Sequence, residues 1–204
     1  ATTAICATSG EFAITLNVNI AQGVYYEGIN FVMGSGASTT TLAGEMRWSR
    51  MKNCSLQIAT TNAASVWLMQ GFSEGWDNLW VKFANASQQI GTTVGVIWNS
   101  GGLLSGGTSP TALFKTASNN GGNFIRNLDL TAANAAINLS NGSTGSGKFR
   151  NSALPNSWSG SVTSGVGSFS SEYDRDNGAS SGINYVKQRK TGYGSIVHET
   201  TIVR

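Results

Sequence analysis

Aromatic, acidic and amide side chains occur together in one short segment of the sequence. Gly71-Phe-Ser-Glu-Gly-Trp76-Asp77-Asn78-Leu-Trp80 combines them, and Pro155-Asn156-Ser157-Trp158 repeats the combination. Asp and Asn offer acceptors and donors to hydroxyl groups, and an aromatic ring covers the apolar face of a sugar. The alternative is that the tryptophans pack in the core beneath a loop. The candidate ligand-binding residues are Trp76, Asp77, Asn78, Asn156 and Trp158.

Catalytic chemistry has few candidate residues in this chain. His198 is the single histidine, and it lies in Ile196–Val203, a β-like run where it decorates a strand face. A glycosidase needs two carboxylates facing each other across a cleft, and the ten acidic residues show no motif for that pairing. Gly142–Lys148 imitates a phosphate-binding loop, but Phe149 replaces the Ser or Thr that would hold magnesium. We predict no enzymatic activity and no catalytic residue.

Metal binding is also not expected. One histidine and two cysteines are too few for a zinc site. The segment Glu172-Tyr-Asp174-Arg-Asp176-Asn-Gly178 spaces carboxylates as calcium loops do, but its glycine comes one residue late and the distal Glu is missing. A polar turn is the favoured interpretation, with a weak calcium site at Asp174 and Asp176 as the alternative. We expect no cofactor.

Length and composition favour a single exported domain. A chain of 204 residues accommodates one well-buried core, so one domain over residues 1–204 is predicted. Charged residues are 11%, against about 25% in an average soluble protein, and Gly, Ser, Thr and Asn supply the polar surface instead. The net charge is +3, and the Lys and Arg residues are scattered apart from a small cluster near the C-terminus, which argues against nucleic-acid binding. No apolar run approaches 18 residues, so no membrane insertion is expected. The start at Ala1, without Met or leader, suggests a processed, secreted chain.

Alternating apolar and polar residues indicate many short strands. Phe12, Ile14, Leu16, Val18 and Ile20 alternate with polar or small residues over Glu11–Ile20. Further strands are predicted at Val24–Met33, Thr39–Trp48, Ser55–Thr60, Ser65–Met69, Leu79–Phe83, Thr92–Trp98, Ala112–Thr116, Asn123–Leu130, Ser161–Phe169, Ile183–Arg189 and Ser195–Val203. A helical turn is considered at Thr131–Leu139, and Ser100–Ser109 and Ser140–Gly147 are interpreted as surface loops. No repeat of fixed period is visible, so the pattern favours an all-β sandwich or barrel.

Cys6 and Cys54 are the only cysteines. In an exported chain they are predicted to form a disulfide that pins the N-terminal strand to the sheet. The alternative is that both remain free, buried thiols.

The N-terminal quarter resembles a known family. Ala4-Ile-Cys6-Ala-Thr-Ser-Gly10, followed by an alternating strand and then Asn53-Cys54, is similar to the N-terminal receptor-binding (lectin) domain of chaperone–usher fimbrial tip adhesins. The resemblance implies an elongated immunoglobulin-like or jelly-roll β-sandwich with long Gly/Ser/Asn-rich loops. It also implies a following pilin domain, fimbrial subunits as partners and a place at the fimbrial tip on the cell surface. The mannose pocket of the type 1 adhesin does not map onto this sequence, which leaves the sugar open.

Three functions remain in competition. The first is a carbohydrate-binding adhesin domain that mediates bacterial attachment to host-cell glycans and is a monomer when isolated. The second is a structural or receptor-binding protein of a virus or phage particle, for which β-rich, Gly/Ser/Asn-rich chains of this size are typical. The third is a secreted hydrolase. Oligomeric state separates the first two, because a particle component forms a stable trimer or assembles further.

Overall fold

The described part of the chain consists of β-strands and turns. The computed structural model describes residues 3–6, 24–36, 43–47, 49–70, 75–92, 96–116, 123–141, 146–162, 168–172, 174–176, 184–190 and 196–202. The strands are β1 Thr3–Cys6, β2 Val24–Glu27, β3 Ile29–Gly36, β4 Ala43–Arg47, β5 Ser49–Thr60, β6 Val66–Gln70, β7 Trp76–Phe83, β8 Gln89–Thr92, β9 Ile97–Trp98, β10 Gly101–Leu103, β11 Ala112–Thr116, β12 Asn123–Arg126, β13 Leu128–Asp129, β14 Asn138–Ser140, β15 Ser146–Arg150, β16 Ala153–Leu154, β17 Ser168–Glu172, β18 Asp174–Asp176, β19 Asn184–Lys190 and β20 Ile196–Ile202.

The strands stack in parallel as a β-solenoid of about four turns, here called coils. Met51 in β5 pairs with Trp76 in β7, and Trp76 pairs with Trp98 in β9, so partners in successive coils are 22 to 27 residues apart along the stack. A second sheet, in the order β14-β11-β8-β6-β4, closes the other side of each coil. The all-β prediction is confirmed for the described residues, but the predicted sandwich or jelly roll is wrong.

Most coils bend at one corner residue with a left-handed backbone, and the coil of β9 and β10 does not. The corner residues are Gly28, Asn53, Asn78, Asn127 and Asn151, with φ between 52° and 67°. Glycine and asparagine are the residues that adopt this conformation at least cost. One such residue between two extended segments redirects the chain without ending its pairing to the coils above and below. Asparagine was expected mainly in loops, but here it forms the corners of the solenoid.

Hydrogen bonds connect the corner asparagines of neighbouring coils. The Nδ2 atom of Asn78 donates to Oδ1 of Asn53 at 2.9 Å, and Nδ2 of Asn151 donates to Oδ1 of Asn127 at 2.8 Å. Asn127 also donates from Nδ2 to the carbonyl oxygen of Asn99 at 3.1 Å. A side-chain amide is suited to this position because it has both a donor and an acceptor to continue the series.

The corner conformation predicts a difference between two substitutions at Asn127. Asn127→Ala loses two side-chain hydrogen bonds, each worth about 0.5–1.5 kcal/mol, and places a Cβ-bearing residue in a left-handed backbone, at a further ~1–2 kcal/mol. Asn127→Gly loses the same bonds without the backbone strain. Urea denaturation should therefore show the alanine variant to be less stable than the glycine variant by about 1 kcal/mol or more. Equal stabilities would contradict the corner role of Asn127.

The core fills the interior of the coils as columns of side chains in register. One column contains Met51, Trp76, Trp98, Ile125 and Phe149, each at most 1% exposed. A second column contains Leu56, Val81, Leu103, Leu130 and Leu154. The Trp76 and Trp98 rings meet edge to face, with their centroids 6.0 Å apart. Such pairs add about 0.5–1.5 kcal/mol beyond the area that they bury.

Several segments differ from the predicted elements. Residues 131–137, considered as a helical turn, form tight turns before β14. The predicted loop Ser100–Ser109 contains β10, and β15 begins inside the predicted loop Ser140–Gly147. Of the predicted strand Thr92–Trp98, Thr92 ends β8 and Ile97–Trp98 is β9, while residues 93–95 lie outside the described residues. These strands are only two to five residues long, which is too short for alternation to be visible. The predicted strand Glu11–Ile20 lies outside the described residues.

The stack ends in an antiparallel hairpin. Strand β18 pairs with β19 and β19 pairs with β20, both antiparallel, and His198 of β20 lies opposite Gln188. Predicted strands Ile183–Arg189 and Ser195–Val203 are thereby confirmed. Asp174 and Asp176 belong to β18, so they lie in a strand rather than in the predicted polar turn.

Candidate functional site

Trp76, the central candidate of the sequence, is a core residue. Its side chain is 1% exposed and packs against Trp98. Its buried Nε1 atom has no hydrogen-bond partner among the described residues. The prediction that Trp76 stands exposed as a sugar-binding platform is contradicted by this burial.

The two polar neighbours of Trp76 do reach the surface. Asp77 is half-buried, and its Oδ1 atom accepts a hydrogen bond of 2.7 Å from Nδ2 of Asn99. Asn78 is the exposed corner residue, and its backbone N–H donates to Oγ of Ser100 at 2.7 Å. Both side chains are thus positioned by neighbouring coils, and Asn78 belongs to the corner series.

The second predicted motif lies elsewhere. Asn156 is exposed, but Trp158 is partly buried against the core and donates from Nε1 to the carbonyl oxygen of Ile137 at 2.7 Å. The motif follows β16, which is separated from β7 by β10 and β13 in the strand order. The structure therefore does not bring Asn156 and Trp158 together with Asp77 and Asn78.

Cys54 is a free, buried thiol in the structure. Its Sγ atom donates to the carbonyl oxygens of Lys52 at 3.3 Å and Tyr26 at 3.5 Å. Cys6 pairs with Val32 and Val32 with Gln57, so Cys6 lies three residues along the strand from the level of Cys54 and two strands away. Disulfides join Cα atoms about 4.4–6.8 Å apart, and each of these displacements alone is roughly 10 Å. This arrangement argues against the predicted disulfide.

Of the two tryptophans in β7, Trp80 is the one that the structure places on the outer surface. Two tryptophans four residues apart would share a face of a regular strand. Here the corner residue Asn78 shifts the alternation by one position, so that Trp76 points inward and Trp80 outward. Trp80 is half-buried, and its Nε1 atom donates to Oδ1 of Asn78 at 2.7 Å. Alternation alone could not have distinguished the two rings.

The neighbours of Trp80 in adjacent coils are small. In register with it lie Ser55 on one side and Gly102 on the other, and Gly102 pairs in turn with Asp129. Gly102 carries no side chain there because a Cβ atom would lie 1.9 Å from the carbonyl oxygen of Asp129. The Oδ1 atom of Asp129 accepts bonds from the backbone N–H and the hydroxyl of Thr131, at 3.0 and 2.6 Å.

A groove of about 460 Å³ begins at Lys82, two residues beyond Trp80 on the same strand. Its lining includes Gln57 of β5, Lys82 of β7 and the loop residues Gly106, Gly107 and Thr108. Lys82 is two residues from Trp80, so the two side chains lie on the same face of β7, about 7 Å apart along the strand. The groove continues past these side chains to the loop that follows β10. We call Trp80, Lys82, Gln57, Gly102 and Asp129 together the Trp80 face.

The Trp80 face combines the groups that hydroxyl-rich ligands require. It offers an aromatic ring held by a hydrogen bond, an amide with donor and acceptor, an ammonium donor and a carboxylate acceptor. These groups are carried by β-strands in a fixed register, so the backbone loses little conformational entropy when they bind. Trp80 belongs to the first sequence motif but is not among the predicted ligand-binding residues, because its outward direction depends on the corner at Asn78.

The other outward face of the same coils is charged. Lys52 lies 3.9 Å from Glu27, measured from Nζ to Oε1, and both side chains are about half exposed. The hydroxyl of Tyr25 donates to Oε2 of Glu27 at 2.8 Å, and this hydrogen bond raises the pKa of Tyr25 above its usual value. Burial raises the pKa of Tyr26 in the same strand. These contacts are outside the Trp80 face.

In the part of the chain that the structure describes, no helix has the length and apolar character needed to cross a membrane. The same residues contain no group of three or more His, Cys, Asp or Glu side chains arranged to hold a metal ion.

Comparison with known proteins finds no relative of this chain. No family model, no curated protein and no solved structure matches this chain.

Proposed function

We propose that the protein is an adhesin-type protein that binds a glycan on its Trp80 face without transforming it. The observation that carries the proposal is the outward indole of Trp80, fixed by Asn78 and bordered by Ser55 and Gly102. Aromatic rings held at a strand surface suit the apolar face of a sugar, and the adjoining polar groups suit its hydroxyls.

The groove beside Trp80 suits an extended ligand better than a single sugar. Gln57 and Lys82 line it on one side and Thr108 on the other. Thr108 is held in place because its backbone N–H donates to the carbonyl oxygen of Phe83 at 2.8 Å and its hydroxyl to that of Ala84 at 3.1 Å. An open site of this kind supports modest affinity, in the micromolar to millimolar range of about −8 to −4 kcal/mol. Multivalent display would supply the avidity that attachment requires.

A glycan array followed by titration tests the proposal. The wild-type protein is expected to bind a defined set of glycans, and Trp80→Ala is expected to abolish detectable binding because the stacking surface is gone. Trp80→Phe keeps a ring but loses the bond to Asn78, so partial binding is expected. Tyr25→Ala is the matched control, because Tyr25 is an aromatic residue 50% exposed outside the Trp80 face.

Two outcomes would overturn the proposal. One is a wild-type protein that binds no glycan on the array. The other is a folded Trp80→Ala protein, verified by circular dichroism, that binds as tightly as the wild type. Light scattering separates the virus or phage alternative, since the adhesin proposal expects a monomer and a particle component expects a stable trimer or larger assembly.

A further inference from the structure

A column of outward side chains precedes the corner in successive coils. It contains Glu27, Lys52, Asp77, Asn99, Arg126 and Arg150, here called the charged column. Charges of opposite sign are neighbours in its first half, where Glu27, Lys52 and Asp77 follow one another. In its second half two arginines are neighbours, because Arg126 and Arg150 are paired in register.

The pairing of Arg126 with Arg150 is unfavourable by itself. Directly opposed residues on adjacent strands have Cβ atoms about 4.5–5.5 Å apart, and like charges at that distance repel. Lys148 adds a third positive charge, since it lies opposite Phe124 on the same outward face. Arg150 is in register with Glu172 of β17 on its other side. Three basic residues, Arg126, Lys148 and Arg150, therefore lie together in this part of the solenoid.

Arg126 is held in one orientation by two contacts. Its Nε atom donates to Oδ1 of Asn99 at 3.0 Å, and its guanidinium carbon lies 5.4 Å from the centre of the Phe124 ring. Asn99 is itself fixed, because its Nδ2 atom donates to Oδ1 of Asp77 at 2.7 Å. The amide of Asn99 therefore presents its oxygen to Arg126 and not to solvent.

The remaining donors of Arg126 are available to a ligand. Its side chain is exposed, and among the described residues none accepts a hydrogen bond from its Nη1 or Nη2 atom. A guanidinium group presents parallel N–H donors that match the two oxygens of a carboxylate or sulfate. Because Asn99 and Phe124 already fix the group, little side-chain entropy is lost on binding.

We infer that Arg126, with Arg150 and Lys148 beside it, binds a carboxylate or sulfate group of an acidic saccharide. The inference rests on the proposed glycan-binding function and names the class of glycan. Arg126 precedes the corner and Trp80 follows it, two strands apart along the stack, which corresponds to about 10 Å. An oligosaccharide of a few units is long enough to contact both.

Two matched pairs of ligands test the inference and distinguish the two anions. The first pair is hexagalacturonate and its methyl ester, which differ in carboxylate charge. The second pair is dextran sulfate and dextran, which differ in sulfate. The acidic member of at least one pair is expected to bind at least about tenfold more tightly than its neutral partner. Arg126→Gln should remove that preference, and Arg126→Lys should restore only part of it because the planar fork is lost.

Lys52→Gln is the control for net charge. It removes one positive charge from the same column, at a residue already paired with Glu27, and should leave the preference unchanged. The inference is overturned if neither acidic ligand is preferred, if Arg126→Gln binds like the wild type, or if Lys52→Gln loses as much as Arg126→Gln. Trp80→Ala keeps the two proposals separable. Loss of binding in Trp80→Ala alone would refute the role of Arg126, and loss in Arg126→Gln alone would refute the Trp80 face.

Discussion

Trp76→Ala is expected to lower the free energy of unfolding by about 3–5 kcal/mol. The indole lies between Met51 and Trp98 in a core column and is 1% exposed. Removing it leaves a cavity that the stacked strands cannot close, because each strand is held in register by its neighbours above and below. Urea denaturation monitored by circular dichroism measures the loss.

Trp80→Ala, in the same strand, is the control variant for the stability loss expected of Trp76→Ala. Trp80 is half-buried on the outer surface, so its removal is expected to cost about 1–2 kcal/mol. Trp76→Ala should therefore mainly lower the stability of the protein, whereas Trp80→Ala should mainly weaken glycan binding. Similar losses of stability in both variants would contradict the shift of the inward–outward alternation at Asn78, which places Trp76 inside and Trp80 outside.

Alternation of apolar residues located many strands correctly but left their partners undetermined. The predicted strands Val24–Met33, Ser55–Thr60 and Ala112–Thr116 all coincide with strands of the solenoid. Period-two alternation reports which side chains point inward. It does not report whether the neighbouring strand is parallel or antiparallel, and both a sandwich and a solenoid bury alternate residues.

The repeat of the coils could not be seen in the sequence, because the coils differ in length. Met51, Trp76, Trp98 and Ile125 occupy the same position in successive coils, yet the intervals between them vary and their side chains differ in size. The turns vary as well, from the short segment after β7 to the longer Gly-rich segment after β10. A signal that could have been found is the recurrence of a single Asn before an apolar residue, as at Asn53, Asn78 and Asn127.

The candidate site also depends on features that residue type and alternation do not reveal. The segment around Asn78 was selected because it combines aromatic and polar groups, and Trp80 is the one residue of this motif that belongs to the Trp80 face. The platform was assigned to Trp76 because nothing in the sequence shows that Asn78 takes a left-handed conformation. Gln57, Gly102 and Asp129 were not selected at all, since only the stacking of coils brings them beside Trp80.

Gly101→Ala is expected to destabilise the solenoid by about 2–6 kcal/mol, the sum of backbone strain and steric overlap. Gly101 has a φ of 119°, and a Cβ atom there would lie 1.8 Å from the carbonyl oxygen of Leu79 in β7. Gly102 is equally constrained on its other side, where a Cβ atom would lie 1.9 Å from the carbonyl oxygen of Asp129. At both positions a side chain would project into a paired strand, so β10 must move for either substitution.

Gly106→Ala is the matched control for Gly101→Ala. It also has a positive φ, of 73°, but the nearest atom to its added Cβ is Nζ of Lys82 at 4.0 Å. Its cost should be the backbone strain alone, about 1–2 kcal/mol. Thermal unfolding and soluble yield compare the two variants, and yield still reports on Gly101→Ala if that protein does not fold. A Gly101→Ala protein as stable as Gly106→Ala would show that β10 does not pass between β7 and β13 in this register, and the placement of Gly102 and Asp129 beside Trp80 would then have no basis.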